Sequence, residues 1–167
     1  KIQLQKSNIK TNYTENLDLR WALTNIKPLI NQHIDRNYIA LFPFCSEKHK
    51  KKVWPYYYEF IKEAQIKFGE RYNIVIAPGP NEIEKSKNLN TNIILNNGKA
   101  LNLIELISFI KEASYVVSND TGPAHIASHL NKKGLALFGS HKSPKKVSIG
   151  ENNMRILEVN DLKDLKV

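Results

Sequence analysis

The chain has 167 residues, 41% of them hydrophobic and 25% charged, which suits one folded domain of ordinary size and excludes collagen-like and disordered chains. A single cysteine, Cys45, excludes an internal disulfide and a multi-cysteine zinc site and fits a reducing cytoplasm, and no uncharged apolar run approaches the roughly 20 residues of a membrane helix. The formal charge of +9 rests on 21 Lys and only four Arg; because bidentate recognition of phosphates and bases favours Arg, nucleic acid is not the expected partner.

The chain begins at Lys1 with neither an initiator Met nor a charged-then-apolar leader, so it reads as a piece of a longer protein. Residues 1–36 form a connecting segment. Within it, Leu17 to Ile34 carries Leu19, Ala22, Leu23, Ile26, Leu29 and Ile30 at helix spacing, with Pro28 expected to kink or interrupt the helix. Residues 37–167 read as one domain in which short apolar runs alternate with amphipathic segments. The runs predict six strands, at Tyr38–Phe42, Asn73–Ala77, Asn92–Leu95, Tyr115–Ser118, Leu135–Phe138 and Met154–Val159. Helices are expected over Trp54–Phe68, where Pro55 suits the first turn and Gly69 the stop, over Asn102–Glu112, and over Thr121–Leu130. Continuous apolar strands separated by helices predict an α/β fold, a Rossmann-like parallel sheet with helices on both faces.

In such a sheet, ligands bind beyond the carboxyl ends of the strands. Three strand ends stand out: Pro43-Phe44-Cys45-Ser46 leading into Lys48 to Lys52, Pro78-Gly79-Pro80-Asn81-Glu82, and Ser118-Asn119-Asp120-Thr121-Gly122-Pro123-Ala124-His125. The third opens a helix with a carboxylate, a hydroxyl and a glycine. Its N–H groups suit an anion, Gly122 admits a close approach, Asp120 can accept from sugar hydroxyls and Thr121 can donate to phosphate. The competing reading is that Asp120 or Asn119 simply caps the helix.

His125 and His129 have the one-turn spacing of two zinc ligands, but Ile126 follows where a metalloprotease helix needs Glu, and no third ligand is evident. His125 is therefore read as a donor to phosphate or sugar and His129 as a packing or surface residue. Lys52, just before Trp54-Pro55, is the lysine expected to bind phosphate. Cys45 has no evident His or Asn partner and reads as inert. Dinucleotide, P-loop and Gly-x-Ser-x-Gly signatures are absent, as is an Asp-x-Asp pair.

The run Val117-Ser118-Asn119-Asp120-Thr121-Gly122-Pro123-Ala124-His125-Ile126-Ala127, with Leu135 to Gly139 after it, resembles the signature of glycosyltransferase family nine, the ADP-heptose:lipopolysaccharide heptosyltransferases. Lys52-Val53-Trp54-Pro55 and Gly79-Pro80-Asn81-Glu82 are similar to that family's Lys-x-Trp-Pro and Gly-x-x-Glu elements. Phe44 stands where the family usually has Gly.

The resemblance implies one half of a two-domain GT-B fold, the donor-binding domain of an inverting glycosyltransferase moving a heptose-like sugar from an ADP-sugar to a lipopolysaccharide-type acceptor. It implies that Lys52 and Ser46 hold the diphosphate, that Glu82 contacts the ribose, and that Asp120, Thr121, Gly122 and His125 contact the phosphates and sugar. The general base and the site for a lipid-linked saccharide acceptor would belong to an N-terminal domain, so the fragment would bind without turning over. Catalysis would be metal-independent with no cofactor besides the donor. The expected location is cytoplasmic, peripheral to the inner membrane, with Lys48, Lys50 and Lys51 steering the donor or meeting an anionic leaflet. The alternative is a non-catalytic nucleotide- or anion-binding regulatory module.

Overall fold

The apolar runs assemble side by side in the computed structural model, which describes residues 6–7, 18–140, 149 and 153–167. Six strands form among the described residues: β1 (Tyr38–Phe42), β2 (Asn73–Ile76), β3 (Asn92–Ile93), β4 (Tyr115–Asn119), β5 (Gly134–Phe138) and β6 (Met154–Glu158). They lie in the order β3-β2-β1-β4-β5-β6, every neighbouring pair parallel. The chain winds outward from β1 to β3 and then returns to place β4 on the other side of β1. The connections leaving β1 and β4 therefore diverge, which opens a crevice at their carboxyl ends.

Alternation along the strands divides the interior into two layers. Tyr38, Ala40 and Phe42 of β1 pack in one core with residues such as Val75, Phe109, Val116 and Phe138, while Leu41 packs in the other with Tyr57, Ile61, Ile76, Val117 and Leu137. The first layer is covered by α4 (Leu103–Glu112) and α5 (Gly122–His129), the second by α2 (Tyr57–Phe68), and a single turn, α3 (Ile83–Ser86), follows β2. Each large apolar side chain so buried contributes about 1.5–3 kcal/mol relative to exposure. The phenol of Tyr38 is buried as well; it donates to the Phe109 carbonyl at 2.5 Å, and burial raises its pKa.

Two helices differ from expectation. Instead of one helix over Leu17–Ile34, the structure has a 3₁₀ turn at Arg20–Ala22, extended backbone at Leu23 and a single α-turn, α1 (Lys27–Ile30); Leu17 itself lies outside the described residues. Pro28 sits in the first turn of α1, where its missing N–H has no intrahelical partner to lose, so it starts a helix and does not kink one. Leu19, Ala22, Ile26, Ile30 and Ile34 are all buried in the same core as β1 and α4.

The second difference is that α2 begins at Tyr57, not Trp54. Trp54 lies before the helix, its backbone N–H donating to the Asn119 side chain at 3.3 Å and its indole N–H to the Leu165 carbonyl at 2.8 Å. The expected start of α4 holds in detail: Asn102 accepts from the Glu105 N–H at 2.9 Å, and the Glu105 carboxylate accepts from the Asn102 N–H at 2.8 Å, a complete capping box. Among the described residues no helix is long and apolar enough to cross a membrane.

Candidate functional site

The crevice between β1 and β4 is bridged by a short ion pair. Lys52, in the connection after β1, places its ammonium 2.6 Å from Asp120 Oδ2 and donates to the Asp120 carbonyl at 3.1 Å. Asp120 directly follows β4 and is only 2% exposed, whereas the Lys52 side chain is 21% exposed. The other carboxylate oxygen, Oδ1, lies 3.8 Å from His125 Nε2 on the first turn of α5. Partial burial keeps water from screening the pair as it would at the surface.

Asn119 explains how the connection is held. Its side chain is fully buried and donates to the Pro43 carbonyl at 2.9 Å, while Oδ1 accepts from Trp54 N–H and from the Tyr57 hydroxyl, each at 3.3 Å. Burial raises the pKa of the Tyr57 hydroxyl, keeping it a donor. Asn119 thus ties down both ends of the segment 43–54. Sequence reasoning considered Asn119 only as a helix cap; the signal it carried was a polar amide ending an otherwise apolar strand, since a buried amide must find partners.

Neither Asn119 nor Asp120 caps α5. The N-cap residue is Thr121, in extended conformation, and its hydroxyl makes no capping bond; it lies 3.2 Å from the Ser118 hydroxyl and donates to the Asn119 carbonyl at 3.3 Å. Gly122 is exposed, and a Cβ built there would meet nothing within 4 Å. Among the described residues, the start of α5 is therefore open in space and closed by no side chain of its own. His129 lies a turn deeper and is half-buried, and among the described residues no three His, Cys, Asp or Glu side chains gather as a metal site requires.

Beside the ion pair lies a cleft of about 390 Å³, floored by Phe42, Pro43 and Ala77 and walled by Phe44, Pro78, Pro80, Leu101, Leu106 and Pro123. Its polar contributions come from Ser46, Glu82 and Thr121, with Cys45. Glu82 is oriented by its own turn, accepting from the Gly79 N–H at 2.7 Å. The Cys45 thiol donates to the His49 carbonyl at 3.0 Å, and burial, aided by Glu82 and opposed by Lys52, raises its pKa. That is the environment of an unreactive thiol.

The structure therefore groups Ser46, Glu82 and Thr121 in an apolar cleft and Lys52, Asp120 and His125 in an adjoining charged cluster, joined at Thr121-Gly122. The neighbouring lysines go elsewhere. Lys48, Lys50 and Lys51 are exposed, and Lys50 and Lys51 border a separate cleft of about 680 Å³ with Ser140, Asp161 and Lys163. The connection itself is a 3₁₀ turn broken at His49, its outer edge pinned by an exposed Glu47–Lys85 pair at 2.8 Å.

Solved structures with the same fold include *Escherichia coli* ADP-heptose lps heptosyltransferase II, at 20% identity and TM-score 0.68 over 94% of this chain and 49% of that one. *E. coli* heptosyltransferase WaaC, solved with ADP, matches at 20% identity and TM-score 0.68 over 97% of this chain and 50% of that one. A UDP-GlcNAc 2-epimerase from *Methanocaldococcus jannaschii* shares the architecture at 18% identity and TM-score 0.57, over 80% of this chain and 38% of that one.

The chain spans about half the length of the two heptosyltransferases, and its Rossmann-like sheet corresponds to one half of their GT-B fold. No curated protein matches it in sequence. The family model described as glycosyltransferase family 9 (heptosyltransferase) matches residues 2–166, almost the whole sequence, and on that match the chain belongs to glycosyltransferase family 9.

Proposed function

We propose that the chain is the donor-binding half of an inverting glycosyltransferase that moves a heptose-like sugar from an ADP-sugar to a lipopolysaccharide-type acceptor. The observation that carries this reading is the position of Lys52: a partly exposed ammonium, fixed at the crevice between β1 and β4, beside an open helix start and an apolar cleft. An apolar cleft with a few oriented polar groups suits a nucleoside, and the charged corner suits its diphosphate.

In this reading Lys52, Ser46 and the Gly122 end of α5 hold the diphosphate. Glu82, already oriented by Gly79, accepts from the ribose hydroxyls. Thr121 and His125 face the phosphates and the sugar. A base outside these residues would deprotonate the acceptor hydroxyl; the anomeric carbon inverts as the acceptor oxygen attacks, and Lys52 with the α5 start stabilises the departing diphosphate. No metal ion is needed for binding in this scheme. The protein works in the cytoplasm at the inner membrane surface, where the lipid-linked acceptor is held.

Calorimetry with ADP and with UDP, both in EDTA, tests the reading. The expected result is weak binding of ADP, because one domain supplies one wall of a two-walled site, with UDP weaker still and magnesium without effect. Failure of ADP to bind at millimolar concentration, or binding only with magnesium, would count against it. The epimerase that shares this fold makes UDP the informative competitor.

A further inference from the structure

The connection after β1 sends its lysines to two sides. Lys52 turns to Asp120 at the crevice between β1 and β4, whereas Lys50 and Lys51 border the second cleft, of about 680 Å³, together with Lys163 from the segment after β6. That cleft too is built from residues that follow strands: Gly139 and Ser140 after β5, and Asn160 to Lys163 after β6. The two segments are tied together where the Ser140 N–H donates to the Asn160 carbonyl at 3.3 Å.

Folding thus gathers three ammonium groups from distant parts of the chain around one space. Among the described residues none of the three has an ion-pair partner. Glu47, the acid on the same connection, is taken by Lys85, and Asp161, the carboxylate on the lining, has its Oδ1 accepting from the Lys163 N–H at 2.9 Å. Like charges left unpaired around one cleft repel each other, so the arrangement lowers stability until an anion enters. The Ser140 hydroxyl and the Asn160 side-chain amide lie on the same lining and make no hydrogen bond among the described residues.

We propose that this cleft is a second anion site, separate from the donor crevice, that takes the phosphate monoester of a saccharide. Three ammonium groups less the Asp161 carboxylate leave about two positive charges, which balances a phosphate monoester near neutral pH. The free hydroxyl and amide suit sugar hydroxyls, and Val53, Pro55 and Leu162 supply an apolar wall for the ring. Lysine is a mobile point charge, suited to a phosphate held without a fixed bidentate geometry. Two sources share this chemistry: a phosphate carried on the acceptor saccharide, which rests on the transferase reading above, and a free sugar phosphate, which does not.

Amide resonances of the ¹⁵N-labelled 167-residue chain, followed as glucose 6-phosphate is added at about 0.15 M salt, test the site without any nucleotide. Shifts are expected at Lys50, Lys51, Ser140 and Asn160 to Lys163, with half-saturation at about 1 mM. Their absence up to about 20 mM overturns the proposal, whatever happens at the donor crevice. Lys51→Met with Lys163→Met should weaken binding about tenfold or more, and Asp161→Asn, which keeps the Oδ1 acceptor, should strengthen it about threefold. Lys48→Met with Lys62→Met removes the same charge outside the lining and should leave affinity within about twofold. An equal loss from both pairs would mean that net charge alone draws the phosphate, and overturns the site. All five substituted residues are exposed, so the folded chain carries the changes.

The phosphorylated core oligosaccharide released from a lipopolysaccharide separates the two sources. Binding about tenfold or more tighter than that of glucose 6-phosphate assigns the acceptor, and a smaller difference assigns a free sugar phosphate. Phosphatidylglycerol vesicles that bind the unmodified chain but not the Lys51→Met, Lys163→Met variant, with no response to either saccharide, would make the cleft a membrane-facing patch and overturn the proposal.

Discussion

The starts of α4 and α5 solve the same problem in opposite ways. Both helices follow an extended residue at the N-cap, and both leave N–H groups to be satisfied. In α4, Asn102 and Glu105 close the end reciprocally, so the start is complete within its own turn. In α5, Thr121 makes no capping bond, Gly122 faces open space, and the nearby carboxylate of Asp120 is turned to Lys52. One start is finished by the sequence around it. The other has its polar side chains committed elsewhere, which is how a helix end becomes available to a ligand.

That contrast fails most visibly if Lys52 matters no more than an ordinary surface lysine. Lys52→Met should lower ADP affinity by about 30-fold, the cost of one charge-assisted hydrogen bond. It should also lower stability by about 2 kcal/mol, because Asp120 is left with its charge poorly compensated, less than for a fully buried pair since Lys52 retains some exposure. Titration calorimetry and urea unfolding measure the two effects. An unchanged ADP affinity would remove Lys52 from the site.

Gly122→Ala sharpens the comparison, since among the described residues nothing lies within 4 Å of the added methyl group. Stability should stay within about 0.5 kcal/mol, while ADP affinity falls about tenfold if the backbone is approached closely by phosphate. The reciprocal change in the closed helix start, Asn102→Ala, should lower unfolding free energy by about 1 kcal/mol and leave ADP affinity unchanged. A variant at Asn102 that weakens ADP as much as Gly122→Ala does would mean that both starts respond to general stability.

The smallest effect concerns the exposed lysines. Neutralising Lys48, Lys50 and Lys51 together should slow ADP association about threefold at low salt and leave it unchanged near 0.5 M, where exposed charges are screened within a few ångströms. Stopped-flow association at the two salt concentrations reads this out. Equal slowing at both would place one of the three in direct contact with the diphosphate.

The strands were legible in the sequence because parallel strands buried on both faces read as uninterrupted apolar runs, and all six fall within one or two residues of their expected bounds. The segment before β1 was misread for a physical reason: Leu19, Ala22, Ile26 and Ile30 are spaced like one helix face, but the same residues reach one core from a turn, an extended stretch and a second turn. Pro55 and the apolar spacing that follows it place a helix start near Trp54, and the structure starts it at Tyr57, with Trp54 packed in the core by contacts to Asn119 and Leu165 that nothing local shows. The site had a similar limit. Strand ends could be located from the pattern, whereas the pairing of Lys52 with Asp120, and the grip of Asn119 on both ends of segment 43–54, join residues far apart in the chain and depend on β1 lying beside β4.

Trp54 gives the site its own optical signal. The chain has two tryptophans; Trp21 is 76% exposed, while Trp54 is 5% exposed and held at the base of the Lys52 connection. Acrylamide or iodide reaches the first and not the second, so the emission that survives quenching comes from an indole two residues from the ammonium. Shifts in its wavelength then follow the connection itself, with no label attached and no residue changed.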